Sequence, residues 1–116
     1  MVRWIKASLF CAPWFAAYSS VALSEDRRMY WTTGLSNSVY SANLDGSDVR
    51  PLVTAGASNP TGIALYPARH RLFWADTGSR RILYLDLDSG VVHVAFSTGG
   101  RPVALAIDSV AEFLYW

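Results

Sequence analysis

At 116 residues the chain has room for one ordinary domain, and its 52% apolar and 16% charged content is that of a globular protein rather than a disordered tail. The formal net charge is +1, but Arg3 and Lys6 lie near the start, and from Glu25 onward eight Arg stand against nine Asp and Glu. Such a near-neutral balance excludes nucleic acid or an anionic membrane surface as the partner the chain is built for.

Taken in order, Arg3 and Lys6 precede a largely apolar run from Ala7 to Ala17, followed by Ser19-Ser20-Val21-Ala22-Leu23-Ser24. This is the layout of a secretory signal peptide over 1–24, with the chain passing through the secretory pathway. Ala22 and Ser24 supply the small side chains needed third and first before the cut, leaving Glu25 as the new N-terminus. The run is too short to cross a bilayer, and Pro13 and Trp14 interrupt it. Cys11, the single cysteine, falls inside this leader, so the rest of the chain has no disulfide framework. A small secreted chain without disulfides needs a large core or a larger parent.

The region 25–116 is organised by an echo. Leu72-Phe73-Trp74-Ala75-Asp76 is preceded by Met29-Tyr30-Trp31-Thr32-Thr33 and followed by Leu114-Tyr115-Trp116. Tyr30 to Phe73 is 43 residues and Phe73 to Tyr115 is 42, the spacing of four-stranded propeller blades. In the same register Asp45-Gly46 falls upon Asp88-Ser89, and at an offset of 42 Asn59 to Leu65 falls upon Arg101 to Ile107, with Pro60 on Pro102 and Ala64 on Ala106. Leu72 and Trp74 share one face of a strand and Phe73 and Ala75 the other; both faces are apolar, so the strand is expected to be covered on both sides. Gly62 and Ala64 place small side chains where strands crowd near an axis. Asp45-Gly46, Asp88-Ser89-Gly90, Thr33-Gly34 and Asp76-Thr77-Gly78-Ser79 are turn signals.

Nine strands are therefore predicted, near 28–33, 38–44, 49–54, 61–66, 71–76, 81–87, 91–97, 103–107 and 112–116. Propensity alone tolerates a helix over Val103 to Trp116, but the repeat favours strand, turn, strand there. The fold class is all-β: one complete four-stranded blade with parts of two neighbours, divided 28–54, 60–97 and 102–116.

These motifs resemble the YWTD repeats, the class B repeats of the LDL-receptor group. Tyr30-Trp31-Thr32-Thr33 keeps three letters of the signature, Phe73-Trp74-Ala75-Asp76 keeps Trp and Asp, Ala42 to Ser47 is close to the family's hairpin, and Pro60 to Leu65 resembles its Pro-x-Gly-Leu-Ala-Val segment. Thr33 departs from the signature Asp, and Tyr66-Pro67 stands where Asp-Trp is frequent, while Asp108 restores the Asp in the next unit. The resemblance implies a propeller closed by six blades, of which this chain holds a part. It also implies an extracellular platform that binds a protein ligand or assists pH-dependent release, neighbours of EGF-like type, no cofactor, and a structural role for Asp76 tying strands or blades together.

Catalytic readings are weaker. Asp76-Thr77-Gly78 is the aspartic-protease tripeptide, and two such carboxylates would share a proton. Here, however, it coincides with the repeat signature, and Val103 to Ile107 lacks the late glycine such proteases require. His70 and His93 are 23 residues apart with no metal-ligand spacing, so no metal site is expected. Six-bladed propeller enzymes of lactonase or strictosidine-synthase type remain an alternative class, with Asp108 or Asn59 cast as metal ligands. Arg80, Arg81 and Arg69 lie in turns and are the candidate ligand contacts at a blade rim.

Overall fold

The computed structural model describes residues 21–23 and 27–116; the rest of the expected leader lies outside the described residues. Ten strands occur among them: β1 (Val21–Leu23), β2 (Arg28–Thr33), β3 (Ser38–Asn43), β4 (Arg50–Val53), β5 (Pro60–Tyr66), β6 (Arg71–Asp76), β7 (Arg81–Asp86), β8 (Val92–Ser97), β9 (Ala106–Asp108) and β10 (Phe113–Tyr115). Each strand pairs antiparallel with the next within three sheets, ordered β1-β2-β3-β4, β5-β6-β7-β8 and β9-β10. A single 3-10 turn, Pro67–Arg69, joins β5 to β6.

The repeat read from the sequence is a repeat of register. Ala22 lies opposite Tyr30, Ala64 opposite Phe73 and Ala106 opposite Tyr115. Even the strained turns recur: Arg27, His70 and Glu112, at intervals of 43 and 42 residues, all carry positive φ just before the second strand of their unit. Asn37 and Arg80, 43 residues apart, do so in the following turn.

Two differences from the sequence-based expectation have physical causes. The first unit gains a fourth strand, β1, whose three residues lie in a small, apolar stretch equally suited to the end of a leader. The strand expected at 103–107 shortens to Ala106–Asp108, because the Val103 carbonyl turns toward the second sheet and accepts hydrogen bonds from the Gly62 N–H at 2.7 Å and the Thr61 hydroxyl at 3.0 Å. The helix that propensity tolerated there does not form.

Stacked sheets bury two apolar layers. Between the first and second lie Tyr30, Val39, Val53, Ile63, Leu72, Trp74, Leu83 and Leu85. Between the second and third lie Ala75, Ile82 and Leu105, with Ala64, Phe73, Ala95 and Leu114 against them. The strand Arg71–Asp76 is thus covered on both faces, with Leu72 and Trp74 in one layer and Phe73 and Ala75 in the other. Burying each large side chain contributes roughly 1.5–3 kcal/mol before entropy is counted. Close approach needs Gly62: a Cβ there would lie 2.6 Å from the Val103 oxygen and 2.7 Å from the Ala104 Cα.

Candidate functional site

The polar heart of the molecule is the junction where the connector Ser58–Thr61 passes from the first sheet into the second. Asp76 ends β6 and is fully buried. One carboxylate oxygen accepts the Ser58 N–H at 2.7 Å and the other accepts the Ser79 hydroxyl. The next two residues complete the grip, with the Thr77 N–H donating to the Asn59 carbonyl and the Gly78 N–H to the Ser58 carbonyl at 2.8 Å. On the other side, the Asn37 side-chain oxygen accepts the Asn59 N–H at 2.7 Å.

Threonine hydroxyls lace the same region. Thr32 donates to the Thr61 carbonyl and Thr77 to the Pro102 carbonyl, both at 2.6 Å, and Thr61 and Thr77 share a hydrogen bond at 2.9 Å. A buried backbone carbonyl must find a donor, and here the donors come from the neighbouring blade. Asp76, the apparent protease aspartate, therefore has no face toward solvent and both of its oxygens engaged. Its hydrogen bonds join the end of β6 to the inter-blade connector and to Ser79 in the turn that follows. In the first unit Thr33 bonds Ser36, which stands 43 residues before Ser79, so that turn keeps the inner half of the arrangement with a hydroxyl in place of the carboxylate.

Around the outside, aspartates close the turns. Asp45 accepts both the N–H and the hydroxyl of Ser47, and Gly46 beside it has φ +85. Asp86, rather than Asp88, accepts the N–H groups of Asp88 and Ser89, while Asp88 pairs with His70 at 3.1 Å. Asp108 accepts the N–H groups of Val110 and Ala111. The Ser47 hydroxyl holds the Asp45 carboxyl below the usual range, the Ser89 N–H does so for Asp86, and the Ala111 N–H for Asp108. The Asp108 carboxylate is thus engaged in its turn and the Asn59 backbone in the connector, and no group of three His, Cys, Asp or Glu side chains placed to hold a metal occurs among the described residues.

The three arginines do not form one patch of equal character. Arg80 ends the exposed β6–β7 turn and Arg81, also exposed, opens β7, and the Arg80 carbonyl accepts the N–H and hydroxyl of Thr98. Neither side chain forms an ion pair among the described residues. Arg69 instead lies 3.5 Å from Glu112, which also accepts the Tyr66 hydroxyl at 2.6 Å, linking the rims of the second and third sheets. That Tyr66 hydrogen bond, with Arg69 nearby, pulls the Glu112 carboxyl down, and Glu112 pushes the Tyr66 hydroxyl up. Sequence reading missed Ser58, Thr77, Ser79, Tyr66 and Glu112. The pairing of Ser36 with Ser79 at the repeat interval was the signal available for one of them.

Of the remaining signature residues, Tyr30 lies in the layer between the first two sheets. Trp31 stacks on Tyr40 at 5.7 Å on the opposite face, and Phe73 meets Tyr84 at 5.2 Å. Pro60 is fully buried at the start of β5.

Comparison with known proteins agrees with this geometry. The profile described as low-density lipoprotein receptor repeat class B matches residues 27–67. Nidogen of Drosophila melanogaster is 33% identical over 66% of this chain and 6% of its own length. A protein of Pyricularia oryzae named low-density lipoprotein receptor-related protein 1 is 30% identical over 83% of this chain and 38% of its own. Among solved structures, one titled as a nidogen/laminin complex superposes with a TM-score of 0.71 at 27% identity, covering 77% of this chain and 35% of that one. A streptogramin B lyase aligns with a TM-score of 0.64 at 14% identity over 78% of this chain and 30% of that one, which shows shared fold alone. This chain spans well under half of each of these proteins. With its signature strands, register and blade clasp in place, the chain belongs to the low-density lipoprotein receptor class B, or YWTD, repeat family.

Proposed function

We propose that the chain is a non-catalytic, extracellular protein-binding module, a run of blades belonging to a larger receptor-like or matrix-like propeller. The observation that carries this reading is the division of labour among its polar groups. Buried ones, Asp76 above all, are consumed in holding blades together, whereas Arg80 and Arg81, exposed and in no ion pair among the described residues, are presented where the β6–β7 turn enters β7, as expected when a rigid scaffold displays binding loops. Arg80 and Arg81 are the proposed contacts for an acidic segment of a protein ligand, with Arg69 at the rim beside Glu112. In this reading a secretory leader carries the module out of the cell, and flanking modules of EGF-like type are its neighbours. Exposed aromatic side chains on the third sheet, Phe113 at 60% and Tyr115 at 56%, support a parent with further blades.

Nidogen appears with laminin in the superposed structure, so a laminin fragment is the first ligand to try. Surface plasmon resonance over the chain in its parent should show saturable binding. Reversal of both cations, Arg80→Glu with Arg81→Glu, should weaken it at least tenfold. Binding indifferent to that reversal would remove these residues from the site. Metal-dependent hydrolysis of an ester or lactone by the parent would instead favour the enzyme class.

A further inference from the structure

The inner strand of the first unit carries a consequence for how the chain is processed. Val21-Ala22-Leu23, Ile63-Ala64-Leu65 and Leu105-Ala106-Ile107 recur at intervals of 42 residues. In each triplet the central Ala lies opposite the aromatic residue of its unit's second strand: Tyr30, Phe73 and Tyr115. β1 pairs with β2 through Val21–Trp31, Ala22–Tyr30 and Leu23–Met29, and it also lies against β5 of the next sheet. Ala22 packs on the layer that holds Tyr30 and Trp74.

A leader ending at Ser24 would discard this strand. The β2 edge would then present the backbone groups of Met29, Tyr30 and Trp31 unpaired, which is costly in a folded chain and invites association. Tyr30, only 6% exposed, would lose part of its cover.

We propose that Val21–Leu23 belong to the mature module and that the leader is cut upstream of them, between Ser19 and Ser20. This rests on the secretory reading given above. The sequence offers the necessary small side chains there too, with Ala17 third and Ser19 first before the bond. In the cut, a membrane-bound signal peptidase adds water across the Ser19–Ser20 amide. The hydroxyl goes to the carbonyl carbon and the proton to the nitrogen, leaving a carboxylate on Ser19 and an ammonium on Ser20. One residue then precedes β1 and its ladder stays whole.

The test is translation of the full chain in a cell-free system with endoplasmic-reticulum microsomes, with the N-terminus of the lumenal product read by mass spectrometry. It reads the cut whether or not a variant folds. The expected product begins at Ser20, is unchanged by Ser24→Leu, and is lost with Ala17→Arg. A product beginning at Glu25 would overturn the proposal while leaving the leader intact. A full-length chain left outside the lumen would overturn both.

Discussion

The second and third sheets follow the same register and meet different fates. Trp74 is fully buried, whereas Trp116, its counterpart 42 residues on, is 58% exposed and stacks on Phe96 at 5.5 Å. Trp31, in the first sheet, lies between these extremes and stacks on Tyr40. One motif therefore yields three environments, and what separates Trp74 from Trp116 is the sheet around the ring: Trp74 stands inside a four-stranded sheet, Trp116 just past a two-stranded one. In a stacked repeat the unit supplies the pattern and the interface supplies much of the stability.

The sharpest way to break this comparison is to truncate the counterparts in turn. Trp74→Ala should cost about 3–5 kcal/mol, as for other buried aromatic truncations, whereas Trp116→Ala should cost less than about 1 kcal/mol. Urea denaturation monitored by circular dichroism measures both. Equal costs would mean that burial does not follow the stacking described. Next in size is the clasp. Asp76→Ala removes a buried carboxylate that accepts the Ser58 N–H and the Ser79 hydroxyl and should cost about 1–3 kcal/mol, against less than about 1 kcal/mol for Thr33→Ala in the matching turn, by the same denaturation experiment.

A smaller effect, of opposite sign, is expected in the β6–β7 turn. Arg80 holds φ +57 where the first sheet has Asn37 at φ +50. Asn tolerates the left-handed region better than Arg, so Arg80→Asn should stabilise by on the order of 0.5–1 kcal/mol, visible as a raised urea midpoint.

The smallest concerns the exposed link between the second and third rims. Glu112 is held below its ordinary range by the Tyr66 hydroxyl and Arg69, so its contribution is present above its unfolded pKa and is lost as pH falls through the lower folded one. Tyr66 is shifted upward, so its share is present below its unfolded pKa and lost as pH rises through the folded one. Asp45, Asp86 and Asp108 share the sign of Glu112. Stability should thus be flat near neutrality and fall in acid, with Glu112→Gln slightly flattening the acid limb in a pH series of urea midpoints.

Much of this was legible in the sequence because an aromatic pair recurring every 42 or 43 residues fixes strands, turns and register together. Leu72 to Asp76 is read correctly to the residue, since alternation and turn chemistry agree there. The inner strand β1 was not legible, because Val-Ala-Leu after a run of small residues serves a leader and a buried strand equally well. Nor could the role of Asp88 be read: Asp86 and Asp88 are both acidic hairpin residues, and only the geometry of the turn assigns the N–H groups to Asp86. The junction was half legible. The repeat marked Asp76 as structural, but its acceptor geometry depends on Ser58, 18 residues away, with no motif to announce the pairing.

The central claim is that backbone hydrogen bonds between blades, and not only packing, hold the units in register. Amide hydrogen exchange by NMR tests it at the N–H groups of Gly62, bonded to the Val103 carbonyl, and Gly78, bonded to the Ser58 carbonyl. Both should exchange as slowly as mid-strand amides of β6, through opening of the whole structure, while Gly46 in its exposed hairpin exchanges far faster. Exchange of Gly62 and Gly78 at the rate of Gly46 would contradict the account.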